Sequence, residues 1–196
     1  MEARPERDGD ALLAALSGWA ADHRAAEAVA GRARERWLRQ QAQEAATWLG
    51  VLVDLAERRA AVVLELAAGG VARGTLVGVG TDVCLLAADP PRSAATLVAL
   101  AHVVAARAAG AAPGVAASDR RPALSLRLAD ALAALAAERE VARLGLAGGR
   151  EVTGCLLAAG ADVLTVRPGG PPDDHRPGAE RIFVPVGSVV TCTPLR

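Results

Sequence analysis

The chain has 196 residues, a mass of 19.9 kDa, and 22 basic against 22 acidic residues, so its formal net charge is zero. A neutral chain lacks the basic excess of a general nucleic-acid coating protein. A content of 52% hydrophobic and 22% charged residues excludes wholesale disorder. The 47 Ala, and the complete lack of Lys, Asn and Tyr, carry the imprint of GC-rich coding. The length fits one domain or two small ones.

The first ten residues, Met1–Asp10, are acidic, with no apolar segment ahead of a cleavage site, so they do not read as a secretory signal. Stretches free of Asp, Glu and Arg, such as Ser93–Ala106, fall short of the roughly 20 residues that cross a bilayer. Both features predict a cytoplasmic protein without a membrane partner.

Asp10–Trp37 has high helix propensity, and Leu12, Leu13, Leu16, Trp19 and Ala20 form an apolar stripe on it. Just beyond, Arg32, Arg34, Arg36 and Arg39 stand against Glu35 alone. This local positive excess is a candidate nucleic-acid contact, and equally a solvated helix face. Trp37 and Trp48 are candidate anchors for a protein partner, or else fill a core beneath the helix.

From residue 52 onward the chain repeats itself. A shift of 80 residues gives 13 identities over positions 52–86, where the composition gives about 4 by chance. The match resumes with Leu97–Val104 on Phe183–Val190, now shifted by 86. The second copy therefore has six extra residues, in the Pro/Gly/Asp-rich stretch Arg167–Glu180.

Each copy opens with a helix. In the first it is predicted over Arg39–Glu57, with Trp48, Leu52 and Leu55 on one face. In the second it spans Leu126–Glu138, with Leu128, Leu132 and Leu135 at the same spacing and Ser125 as N-cap. A short strand follows (Ala61–Leu66, Val141–Leu146), then a glycine turn at Gly69-Gly70 or Gly148-Gly149. The second strand carries Gly74 or Gly154, the mark of a bend or bulge. Turns at Gly80-Thr81-Asp82 and Gly160-Ala161-Asp162 lead into a third strand, Val83–Ala87 or Val163–Val166. Two last strands lie within Leu97–Ala106 and Ile182–Thr193. Five short bent strands in so few residues are expected to close into a small barrel, which removes exposed edges; pairing between copies or with another chain is the alternative.

The spacing Leu66, Gly69, Gly74, Leu76, Gly80, Asp82, repeated from Leu146 to Asp162, resembles the first motif of the Sm/LSm fold. Residues 40–196 also resemble an actinobacterial protein family that carries this unit twice. The resemblance implies an α+β chain: an N-terminal helical arm (1–38), a first Sm-like five-stranded barrel with its leading helix (39–107), a linker (108–122) rich in Ala, Gly and Pro, and a second such barrel (123–196). Sm-type RNA sites combine an Asp-x-x-Asn turn with an Arg-Gly turn. Here Asp82 and Asp162 stand at the first turn, but the chain has no Asn, and Ala101-His102 and Gly187-Ser188 replace the second. Asp82 and Asp162 are ligand candidates or Asx-type turn caps.

Other chemistry is sparse. Cys84, Cys155 and Cys192 form no CxxC pair, and His23, His102 and His175 have no second ligand at metal spacing. No GxSxG, Walker or HExxH motif occurs. No metal, cofactor or catalytic residue is expected. Three readings follow in order: a non-enzymatic interaction scaffold that pairs with a protein partner or itself, an RNA- or DNA-binding regulator, and a small-molecule enzyme.

Overall fold

The computed structural model describes residues 6–88, 94–108, 120–122, 124–169 and 180–195, with side chains from residue 15 onward. His175, most of the linker and most of the six-residue-longer insert lie outside the described residues. The chain divides into two compact units, Met1–Ala45 and Ala46–Arg196.

The first unit is one helix, α1 (Glu6–Glu44). Its Ala-rich sequence has high intrinsic helix propensity, and Glu35–Arg39 (3.1 Å) and Gln40–Glu44 (2.9 Å) add i,i+4 pairs. The single helix expected over 39–57 is in fact two. The break falls at Thr47, a β-branched residue whose hydroxyl accepts from Gly50 N–H at 3.0 Å and so caps a new helix, α2 (Trp48–Glu57).

The second unit holds both copies of the repeat, and they match element by element. The first copy runs α2, β1 (Ala61–Leu66), β2 (Val71–Val79), β3 (Val83–Ala87), β4 (Thr96–Ala99) and β5 (Val103–Ala108). The second runs α3 (Leu128–Ala137), β6 (Val141–Leu146), β7 (Glu151–Ala159), β8 (Val163–Pro168), β9 (Ile182–Pro185) and β10 (Val189–Pro194). Both helices end on an Arg with positive φ, Arg59 (49°) and Arg139 (52°). The residues after them donate back to Leu55 and Leu135 carbonyls, which closes the helix C-termini. Each copy also has a short 3-10 turn before its last strand, Leu100–His102 or Val186–Ser188.

The strand glycines meet the expectation of a bend. A Cβ on Gly74 would lie 2.4 Å from the Ala87 carbonyl oxygen, and one on Gly154 2.2 Å from that of Arg167. The register slips next to them, between Leu76 and Gly78 and between Leu156 and Ala158. These bulges let β2 and β7 curl.

The ten strands form one antiparallel sheet in the order β5-β1-β2-β3-β4-β10-β6-β7-β8-β9. The sheet is open. The copies join through β4 and β10, with Thr191 opposite Val98 and Cys192 opposite Leu97, so β5 and β9 are its outer edges. Of the two options for managing strand edges, pairing between copies is the one realised here.

Two apolar clusters lie beneath the helices. Leu52, Leu64 and Leu76 of the first are matched by Leu132, Leu144 and Leu156 of the second, all fully buried. Each such side chain contributes roughly 1.5–3 kcal/mol by leaving water. The clusters are not confined to their own copies: Val83, Leu97 and Ala99 of the first copy pack into the core of the second.

Candidate functional site

The junction between the copies is where the sequence's candidates converge. The Gly80-Thr81-Asp82 turn of the first copy sits on the segment that starts α3. Thr81 N–H donates to the Leu126 carbonyl at 2.8 Å, and the Asp82 carboxylate accepts from Leu128 N–H at 2.7 Å. Gly80 is needed for this approach, because a Cβ there would lie 2.3 Å from the Leu126 oxygen. Asp82 is thus the N-cap of a helix 46 residues away. The expected Ser125 cap is not formed: α3 begins at Leu128, and the residue at its cap position, Arg127, makes no side-chain capping bond.

His102 completes the same face. Its Nε2 lies 3.0 Å from the Gly187 carbonyl oxygen. A carbonyl only accepts, so this bond places the proton on Nε2. It ties the 3-10 turn of one copy to that of the other. Asp82, His102, Arg127 and Asp162 line one open cleft of about 340 Å³. The structure therefore brings both candidate aspartates together. Two carboxylates face one guanidinium and an imidazole there, a balance that repels phosphate rather than cradling it.

A second cleft, of about 360 Å³, has the opposite character. Arg73, Arg143 and Arg150 line it beside Thr96, Thr191 and Thr193, with Glu151 as the one acid. The three arginines are exposed and come from both copies. Thr96 and Thr193 hydroxyls meet at 2.9 Å across the β4–β10 ladder. No local motif signals this cluster, because Arg73 and Arg143 sit on separate hairpins that only the junction unites.

The remaining candidates are scattered. Arg32, Arg34, Arg36 and Arg39 are exposed on α1. At 3.6 residues per turn, Arg32, Arg36 and Arg39 fall within about 60° of one another and Arg34 on the other side. Arg39 is already paired to Glu35. Trp37 and Trp48 are both exposed, so neither fills a core; Leu52 does that for α2. Of the stripe on α1, Leu16 and Trp19 are exposed and Ala20 is half-buried, while the side chains of Leu12 and Leu13 lie outside the described residues. The Trp19 ring meets His23 edge-on at 5.3 Å, and His23 approaches Glu27 at 3.8 Å. All three cysteines are buried and unpaired. Burial pushes the Cys84 and Cys192 thiols up to about 12.

Among the described residues, no group of three His, Cys, Asp or Glu is placed to hold a metal ion, and no helix is long and apolar enough to cross a membrane. Comparison with protein-family models, with curated proteins and with solved structures finds no match to this chain.

Proposed function

We propose that this chain is a non-enzymatic interaction scaffold built from two Sm-like units, and that its work is to assemble with protein. One observation carries the reading: the two repeats meet edge to edge, through β4 and β10, and Val83, Leu97 and Ala99 of the first pack into the core of the second across that seam. A unit that completes its core with a neighbour's strand is a unit made for association. The helical arm, a compact unit of its own with Trp19 and Trp37 exposed, adds a second surface for a partner. The test is purification from the protein's own cells at low salt, with the 260/280 nm ratio and the mass by light scattering read together. The scaffold reading expects a nucleic-acid-free complex of defined mass above 19.9 kDa. A lone, partner-free chain overturns it.

A second reading, binding of RNA or DNA, draws support from the Arg73, Arg143 and Arg150 cleft. It expects salt-dependent binding that weakens when Arg143 and Arg150 are replaced by Ala. Failure to bind single-stranded RNA or duplex DNA at low salt sinks it. The Asp82 and Asp162 cleft does not serve this reading, because its acids outnumber its arginine.

A further inference from the structure

From Ala15 to Glu44 the helix α1 is exposed along its length, and only Ala20 and Ala42 are even half-buried. A helix draws most of its stability from packing one face rather than from propensity. α1 has such a face, and it is bare. Trp19, His23, Ala26, Ala30, Ala33 and Trp37 follow one another at alternating steps of four and three, the spacing of a coiled-coil seam. Trp19 is 66% exposed and Trp37 59%, and Val29, on the flank of the seam, is 56% exposed. The opposite face carries Arg24, Arg32, Glu35 and Arg39, as a solvated face does.

The seam runs from large to small to large. Turned end for end about a point beside Ala28, it falls on itself. Trp19 then lies opposite Trp37 of the other chain, His23 opposite Ala33, and Ala26 opposite Ala30. The alanines let two backbones approach closely in the middle. The two tryptophan layers stand about 27 Å apart, at 1.5 Å per residue.

Charge decides the direction. With this spacing Asp22, Val29 and Arg36 lie along one flank and Glu27 and Arg34 along the other. In an antiparallel pair each flank meets its own counterpart. Asp22 of each chain then lies beside Arg36 of the other, and Val29 beside Val29. The one like-charge contact is Glu27 with Glu27 at the axis, against two opposite-charge contacts. In a parallel pair the flanks would cross, and Asp22 would face Glu27 of the other chain twice, a repulsive arrangement.

We infer that α1 is a dimerisation element, pairing antiparallel with α1 of a second chain through the seam from Trp19 to Trp37. The contact is isologous, so it closes at two chains.

This inference rests on the scaffold reading, whose arm surface it assigns to a second chain. The test uses the purified full-length chain, with mass read by light scattering across a concentration series and helix content by circular dichroism at 222 nm. Wild type is expected to exceed the 19.9 kDa chain mass. A30R keeps a good helix former at an exposed position but blocks the closest approach of the seam. It is expected to have half the wild-type mass. D22R and R36D each turn two opposite-charge contacts into like-charge ones, and each is expected to raise the dissociation constant about tenfold. Mixed one to one, each of these two variants supplies the charge that the other lacks, and the wild-type affinity is expected to return. That recovery also shows that both are folded. If A30R keeps the wild-type mass, the inference falls and the scaffold reading stands on another surface. If D22R tightens the dimer, as it would against Glu27 in a parallel pair, or leaves it unchanged, the antiparallel seam falls. It falls equally if the mixture does not recover the affinity. If purified wild type is a single chain at every concentration, the inference falls, and the scaffold reading then depends on a different protein in the native complex.

Discussion

The Asp82 carboxylate accepts a hydrogen bond from Leu128 N–H at 2.7 Å, so the first copy of the repeat caps the leading helix of the second. A helix leaves its first N–H groups without internal partners, and a carboxylate at that end meets both the bare donor and the positive end of the helix dipole. Asp82→Ala is expected to destabilise the Ala46–Arg196 unit by about 1 kcal/mol, the usual value of a lost N-cap. Thermal melting followed by circular dichroism would show this as a fall of about 2–4 °C. Asp82→Asn keeps the acceptor and is expected to recover most of the loss. Asp162→Ala, at the position with no helix to cap within the chain, is expected to leave the melting point of the single chain in place. An equal fall for both variants would remove the capping account.

This relationship also marks how far the sequence could be read. The hairpins were legible because Gly69, Gly74 and their repeats at Gly149 and Gly154 announce turns and bends locally, and because the duplication checks each strand against another. The seam was not legible. Leu97 and Cys192 pair across the whole second copy, and no local pattern specifies a partner at that separation. Nor does composition distinguish Asp82 from Asp162, although one caps a helix and the other does not. Trp48 read as a core residue from its helical spacing with Leu52 and Leu55. Its counterpart Leu128 is buried in a cluster to which both copies contribute, so the same helical spacing gives a covered residue in one copy and a bare one in the other. The helix break at Thr47 carried neither Pro nor Gly and so gave no strong stop signal.

Glycine substitutions separate crowding from conformational freedom. Gly154→Ala places a methyl group against the Arg167 carbonyl, a backbone atom that cannot swing away. The expected cost is about 1–3 kcal/mol, as for other overpacked sites. Gly31, in the middle of α1, has nothing within 4 Å of an added Cβ. Gly31→Ala is expected to stabilise that helix by about 0.5–1 kcal/mol. Circular dichroism at 222 nm during melting reads both changes. The two variants must move in opposite directions.

The buried thiols give the protein an alkaline limit. Burial raises Cys84 and Cys192 from the ordinary value of 9.0 to about 12. Above pH 9 the unfolded chain releases these protons and the folded chain holds them, so the folded state binds more protons and loses stability as pH rises. The contribution is fully present below pH 9 and is lost progressively toward pH 12. Urea midpoints are expected to fall more steeply between pH 9 and 11 in wild type than in a Cys84→Ala, Cys192→Ala variant, whose absolute stability is lower. At pH 8 only ~10⁻⁴ of each buried thiol is thiolate, the form that attacks. A disulfide reagent is therefore expected to label these two sites only after unfolding. Fast labelling of the folded chain at Cys84 or Cys192 would contradict the burial.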